Sequence, residues 1–452
     1  MKQTFTYSQK IRQLLAILLP VLVTQLTTFA MSFFDIFMSG HYSSIDLAGV
    51  AIGTSIWIPV QTGLGGILFA VTPIVAQLIG AKGEDRVAFK VMQGFLLAAL
   101  LSVLVIAAGV WALEPILNLM NLEAEVRSIA QRYLVVMGFG VPAYFLYTVL
   151  RCFFDGLGQT RISMLISLLS LPVNAVLNYV FIYGKIGAPE LGGVGTAVAT
   201  ATTYWLMLAI AASFAWASKP FSGFGIFSRV YPVSLPAWKE LLGIGIPIGL
   251  AIFFETSIFA AVTMLMSQFN TMTIAAHQAA INFASFLYMV PLSISMGLTI
   301  LVGYEVGAGR FKDARVYGLL GIGLAIAMAA LCTVALLLFD QQIAGLYTRE
   351  TAVLELTRQF LAYAIFFQLA DAIAAPIQGV LRGYKDVNIT FFIALVSYWV
   401  VGLPLGWALA RYTDLGPFGF WIGLITGLAF GAAGLYGRLS YIQRRSVNVA
   451  SM

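Results

Sequence analysis

Three carboxylates sit inside stretches that are otherwise apolar: Asp35 in residues 14–40, LLAILLPVLVTQLTTFAMSFFDIFMSG; Glu255 in residues 241–267, LLGIGIPIGLAIFFETSIFAAVTMLMS; and Asp371 in residues 354–380. A charge near the middle of a membrane-spanning helix costs at least about 2.5–3.5 kcal/mol on insertion scales, so such an acid is by default a site of ion or substrate handling. Thr24, Thr28, Ser32, Asp35 and Ser39 are spaced 4, 4, 3 and 4 apart and fall on one helical face. Farther along, Pro172 frees a backbone carbonyl, and Asn174 and Asn178 present amides on one face. With Asp35, these oxygens suit a proton or a hard cation. The competing reading is a hydrogen-bonding hub at Asp35 and interhelical glue at the asparagines.

Gln368, Asp371, Ala375 and Gln378 share a second narrow face, with Pro376 expected to kink their helix. Glu255 and Asp371 both lie near the middle of their spans. Two acids at similar depth repel unless they share a proton, hold a monovalent cation such as Na⁺, or are each paired elsewhere. Aromatic and thioether side chains flank the acids: Met31, Phe33, Phe34, Phe37 and Met38 near Asp35, and Phe253, Phe254, Phe366 and Phe367, with Gln368, near the other two. They could wall a cavity for flat organic cations; the alternative is that most face lipid or neighbouring helices.

Other chemistries lack their residues. Cys152 and Cys332 are distant from one another and the chain has two histidines, so no disulfide framework, metal cluster or resident cofactor is expected. No HExxH or GxSxG is present, which argues against an intramembrane enzyme. His277, among small residues in TIAAHQAAINF, is expected to be a hydrogen-bonded core residue. Gly80-Ala81-Lys82-Gly83 and Gly307-Ala308-Gly309-Arg310 lack phosphate-loop spacing and read as cytoplasmic turns.

The elements that position these acids are set by composition. The chain is 60% hydrophobic and 10% charged, with mean hydropathy +0.92, the profile of a polytopic membrane protein. Its net charge of +6 is scattered singly between apolar runs and forms no nucleic-acid-binding face. Requiring about 20 apolar residues per span yields six spans at 14–40, 47–79, 88–113, 129–150, 162–183 and 194–215, and six more at 241–269, 274–306, 314–339, 354–380, 389–409 and 418–439. An N-terminal lobe (1–215) and a C-terminal lobe (240–452) are joined by 216–239, a linker rich in proline and glycine.

A constant offset of 227 superimposes the halves: Pro20 on Pro247, Ala48 on Ala275, Thr72 on Thr299, Gly156 on Gly383. One ancestral unit is present twice. With six spans each, the lobes should be related by a pseudo-two-fold axis along the membrane normal, with a central cleft that opens by rocking. The offset carries Asp35 to Val262, Glu255 to Thr28 and Asp371 to Tyr144, so the acids are not requirements of the fold. Of the 25 Lys and Arg, only Arg127, Arg132, Lys185, Arg349, Arg358 and Arg411 fall in the loops opposite the N-terminus. Both termini are therefore expected on the cytoplasmic side, with the run after Lys2, Lys10 and Arg12 a retained first helix.

Three segments carry a family signature: MSFFDIFMSGHYSSIDLAGVAIG, LRCFFDGLGQTR and IAAHQAAINFASFLYMVPLSISMGLTILVGYEVGAG. They resemble the hallmark stretches of the multidrug and toxic compound extrusion (MATE) transporters, and the placing of Glu255 and Asp371 is similar to the NorM-type branch. The resemblance implies efflux of organic, often cationic and aromatic, small molecules in exchange for inward Na⁺ or H⁺, by a monomer in the cytoplasmic membrane. It also implies an N-lobe cation or proton site at Asp35, Asn174, Asn178 and Thr196, and a C-lobe cation site at Glu255 and Asp371. The sequence departs from the family pattern at Ile36, Tyr304 and Phe367; at the last an aromatic hydroxyl is missing unless Tyr363 or Gln368 substitutes. The rival within a related fold is a flippase for lipid-linked glycans, which favours a cationic cleft to hold pyrophosphate.

Overall fold

The computed structural model describes the chain except Lys2, Asn121, Val230, Arg349, Ser451 and Met452, and the side chains of 447–450. Lys2 and Arg349, two of the basic residues read for orientation, thus lie outside the described residues. Among the described residues, twelve helices are long and apolar enough to cross a membrane. They are α1 (Tyr7–Tyr42), α2 (Ser44–Gly80), α3 (Glu84–Leu119), α4 (Ala124–Gly156), α5 (Thr160–Tyr183), α6 (Val194–Ala217), α7 (Leu235–Met266), α8 (Thr271–Gly307), α9 (Phe311–Gly345), α10 (Thr351–Gly383), α11 (Asn388–Tyr412) and α12 (Phe418–Ser446). The described residues contain no strand, as expected where every backbone polar group must be satisfied within its own segment.

Helix ends are set by local chemistry. Ser43 caps α2 by accepting from the amides of Ile45 and Asp46, Asn270 caps α8 through Thr273 at 2.8 Å, and Gly184 ends α5 in the left-handed conformation. Among the described residues four spans depart from regular α-helix: α2 turns at Phe69–Ala70, α3 opens with a 3-10 turn at Glu84–Arg86, α9 kinks at Phe339, and α11 contains a π-helical turn at Val396–Gly402.

The chain forms two compact units, Leu19–Gly249 and Met1–Leu18 with Leu250–Met452. Both divisions fall inside a helix, next to Pro20 in α1 and Pro247 in α7, the prolines that the 227 offset superimposes. The opening third of α1 therefore packs with the C-terminal helices, and the opening half of α7 with the N-terminal ones. Polar contacts fasten each. In one unit Gln13 accepts from the Tyr317 hydroxyl at 3.1 Å, and the buried Lys10 ammonium pairs with Asp313 at 2.9 Å. In the other, Glu240 pairs with Lys90 at 2.5 Å. Glu240 is Gln13 moved by 227, and Tyr317 is Lys90 moved by 227, so the repeat conserves the place of this contact while its chemistry has diverged.

The core of the C-terminal unit is built on α8 and α10. A Cβ at Gly379 would lie 2.2 Å from the Ser295 carbonyl oxygen, and Thr299 donates across the same seam to Gly379 O at 3.0 Å. Gly379→Ala must push two backbones apart, and its expected cost is on the order of 1–3 kcal/mol, read as a lowered thermal midpoint of the detergent-purified protein. His277 is fully buried there, its Nδ1 accepting from Trp421 Nε1 at 3.1 Å and its Nε2 bonded to the Thr263 hydroxyl at 3.3 Å. It is the core residue that its small-residue surroundings imply.

Candidate functional site

Asp35 on α1 meets α5 and α6 inside the N-terminal unit. Asn178 Nδ2 donates to one carboxylate oxygen at 2.6 Å, and the Thr200 hydroxyl donates to the other at 3.1 Å. Asn178 also donates to Asn174 Oδ1 at 3.2 Å, and Asn174 donates to the Thr200 hydroxyl at 3.4 Å. Asn174 and Asn178 are completely buried. Asp35, Asn174 and Asn178 are thus brought together, and among the described residues the carboxylate's hydrogen-bond partners are neutral donors. Asn178 Oδ1 is buried without a hydrogen-bond partner, leaving an acceptor oxygen beside a carboxylate.

Thr196 stands apart from this cluster: its hydroxyl donates to the Gly193 carbonyl at 2.7 Å. The next residue on the same face of α6, Thr200, makes the contact instead. The hydroxyl stripe on α1 is also spent locally. Thr24, Thr28, Ser32 and Ser39 each donate to the carbonyl one turn back on their own helix, because a short hydroxyl in a helix reaches its own i−4 oxygen most easily. Of the residues proposed to wall a cavity, Met31 is buried, Phe34 and Met38 are half-buried, and Phe33 and Phe37 stack at 5.6 Å with about half their surface exposed.

In the C-terminal unit, Gln378 Nε2 donates to Glu255 Oε1 at 2.5 Å. Arg382, one turn farther along α10, donates to Gln378 Oε1 at 3.4 Å and stands within electrostatic reach of Glu255. Asp371 lies about 10 Å back from Gln378 along the same face, seven residues at about 1.5 Å each, and is also within electrostatic reach of Glu255. Among the described residues nothing hydrogen-bonds to Asp371, which is 8% exposed. Glu255 therefore has a neutral partner and a nearby cation, whereas Asp371 has neither.

Phe367 points into the core, edge-on to Phe259 at 5.6 Å and near Trp421 at 6.4 Å. Tyr363 stacks on Phe418 at 5.2 Å, and Gln368 is buried with no hydrogen bond among the described residues. Phe254 packs against Phe391 and Trp399, each at 6.0 Å. Two aromatic hydroxyl residues lie within electrostatic reach of the acid pair: Tyr288 on α8 and Tyr398 on α11. Neither is singled out by sequence pattern. Tyr144, the repeat counterpart of Asp371, instead joins an aromatic group in the N-terminal unit, 5.0 Å from Tyr204, whose hydroxyl accepts from Gln61 at 3.3 Å.

The MatE family model matches residues 20–180 and 247–408, two blocks whose starts are 227 apart, the offset of the internal repeat. The probable multidrug resistance protein NorM of Bacillus anthracis is 56% identical over 98% of both chains. The protein of that name in Bacillus licheniformis is 55% identical over the full length of both. Among solved structures, a multidrug resistance MATE family transporter in an outward-facing conformation superimposes with a TM-score of 0.89 at 18% identity, covering 99% of this chain and all of that one. A eukaryotic MATE transporter gives 0.85 at 21% identity over 98% and 99% of the two chains. Those two structures share the fold; the family model and the full-length relatives establish that this chain belongs to the MatE family.

Proposed function

We propose that the protein exports organic, often cationic, aromatic compounds across the cytoplasmic membrane in exchange for inward Na⁺ or H⁺, by alternating exposure of its binding groups to the two sides. The observation that carries this reading is the pair of intramembrane acid sites, one within each unit, whose charge the protein leaves largely uncompensated. Asp35 has only neutral donors, and Asp371 has no hydrogen-bond partner among the described residues. A structural hub is more stable when fully satisfied, whereas a coupling group must keep capacity for the ion it takes up and releases. The name borne by relatives more than 50% identical over nearly the whole chain supports drugs as the cargo.

The energetics suffice. For a neutral cargo, one positive charge moving inward contributes about 2.3 kcal/mol per 100 mV, enough for roughly a fortyfold concentration ratio; one-for-one exchange with a monovalent cationic cargo moves no net charge and is driven by the ion gradient. With both termini on the cytoplasmic side, as the distribution of Lys and Arg favours, import of the cation runs down the membrane potential. The test is ethidium efflux from proteoliposomes under an imposed Na⁺ gradient and, separately, an imposed pH gradient. Expected is efflux above that of protein-free vesicles with at least one gradient. Failure with both, together with movement of a fluorescent lipid-linked glycan between leaflets, would replace drug antiport by the flippase reading.

A further inference from the structure

The internal repeat sets one helix face of each unit beside its counterpart, and the two carry different chemistry. On α10 the face holds Asp371 and, seven residues on, Gln378, which donates to Glu255. Moved back by 227, these positions on α4 are Tyr144 and Arg151, and Arg382 becomes Asp155. Seven residues are about two turns, so Tyr144 and Arg151 share a face about 10 Å apart. Where the C-terminal unit presents an acid and an amide bonded to a second acid, the N-terminal unit presents an aromatic ring and a guanidinium. Exchange of a cationic cargo for Na⁺ or H⁺ uses neither.

A guanidinium carries five N–H donors in a planar fork. Among the described residues that of Arg151 makes one hydrogen bond, from Nη2 to Gln25 Oε1 on α1 at 3.0 Å. The one carboxylate within 4 Å, Asp155, stands 3.6 Å from Nε, beyond hydrogen-bond length, and accepts from the Ser163 hydroxyl at 2.8 Å. Nε itself is enclosed without a partner. A buried ion pair is stabilising only when its geometry closes and its donors are satisfied, and this one is open. Nη1 also has no protein partner among the described residues, yet it is not enclosed, and the side chain keeps 15% of its surface accessible. Two turns away Tyr144 and Tyr204, both half-buried and 5.0 Å apart, offer ring surface on which a flat compound stacks.

We propose that Arg151 is a specificity-determining residue that binds the carboxylate of aromatic cargo, with Tyr144 and Tyr204 taking its rings. The proposal rests on the export reading and extends the cargo from cations to compounds that also bear a negative group. A guanidinium edge fits the two oxygens of a carboxylate, and in a low-dielectric site such a bond is stronger than in water. Asp155, on the Nε side, offsets the cost of burying the cation while the Nη1 edge stays open to the ligand. The separation of about two turns is spanned by a fused-ring system with a carboxyl group attached.

The experiment is equilibrium binding of rhodamine 110 and of rhodamine 123 to the purified full-length protein, read by fluorescence anisotropy. The second dye is the methyl ester of the first, so the pair share their rings and differ at one carboxylate. Arg151→Gln keeps a donor for Gln25 and is expected to lower the ratio of rhodamine 110 to rhodamine 123 affinity at least about tenfold. Arg151→Lys, which keeps the charge and loses the fork, should lower it about threefold. The double variant Arg151→Gln/Asp155→Asn also removes the acid left without its cation, and the same fall in the ratio is expected, so a folding defect in the single variant does not hide the result. An unchanged ratio in the double variant, or equal weakening of both dyes, would assign Arg151 to packing and leave export of cationic dyes standing. Binding of rhodamine 123 alone, or of neither dye, by the wild-type protein would overturn the carboxylate site; absence of ethidium efflux in addition would remove the export reading itself.

Discussion

Asp35→Asn is expected to reduce ethidium efflux driven by a pH gradient at least about a hundredfold, equivalent to roughly 2.7 kcal/mol of coupling, while leaving the protein folded. The substitution is nearly isosteric. One side-chain oxygen remains to accept from Asn178 or Thr200, the donors that now hold the two carboxylate oxygens. The new amide faces a donor in the present arrangement, and rotation of the Asn178 amide, whose Oδ1 has no partner among the described residues, supplies an acceptor for it. Packing is thus conserved and one hydrogen bond is exchanged, a change of about 0.5–1.5 kcal/mol, while the capacity to bind and release a positive charge is lost. Thr200→Val supplies the calibration: it removes one neutral donor and is expected to lower efflux only severalfold, since such a bond contributes about 0.5–1.5 kcal/mol. Wild-type proton-driven efflux by Asp35→Asn would assign the residue to helix packing instead.

The path from sequence to this site shows which physical information a sequence carries. Helical phase is legible, because side-chain direction follows from spacing alone; hence Asn174 and Asn178 were placed on one face and meet Asp35. Depth is much less so. Thr196 and Thr200 share a face of α6 one turn apart, and only the three-dimensional level of Asp35 decides that Thr200 bonds to it while Thr196 caps its own backbone. The polar stripe on α1 shows a related limit: hydroxyl spacing predicts a polar face but not that each hydroxyl donates within its own helix. The twelve spans and the 227-residue repeat were readable from hydropathy and register. Linker composition marks where the repeats join, yet it carries no information about which half-helices pack together, and the exchange at Pro20 and Pro247 is a tertiary fact. The π-turn has no sequence signal either. VSYWVVG is an ordinary apolar run, and its geometry reflects the glycine seam with α12.

The acids of the C-terminal unit should separate under mutation although they belong to one site. With efflux driven by a Na⁺ gradient, Asp371→Asn is expected to lose at least about a hundredfold in rate, and Glu255→Gln on the order of tenfold, a difference of about 1.4 kcal/mol. The reason is their unequal surroundings. Glu255 accepts from Gln378, which in turn accepts from Arg382, so part of its negative field is already answered by a protein cation. Glutamine at that position keeps an acceptor for Gln378 and loses a charge that was partly neutralised. Asp371 has no such partner among the described residues, so an incoming ion is the group that answers its charge in a low-dielectric interior, where such an interaction is strongest. A third variant isolates this cause: Arg382→Gln withdraws the neutralising cation and should narrow the gap, making Glu255→Gln in that background as damaging as Asp371→Asn. Equal losses for the two acids in the otherwise wild-type protein would mean that Arg382 does not screen Glu255 in the ion-binding state, and the pair would then act as a symmetric two-carboxylate clamp.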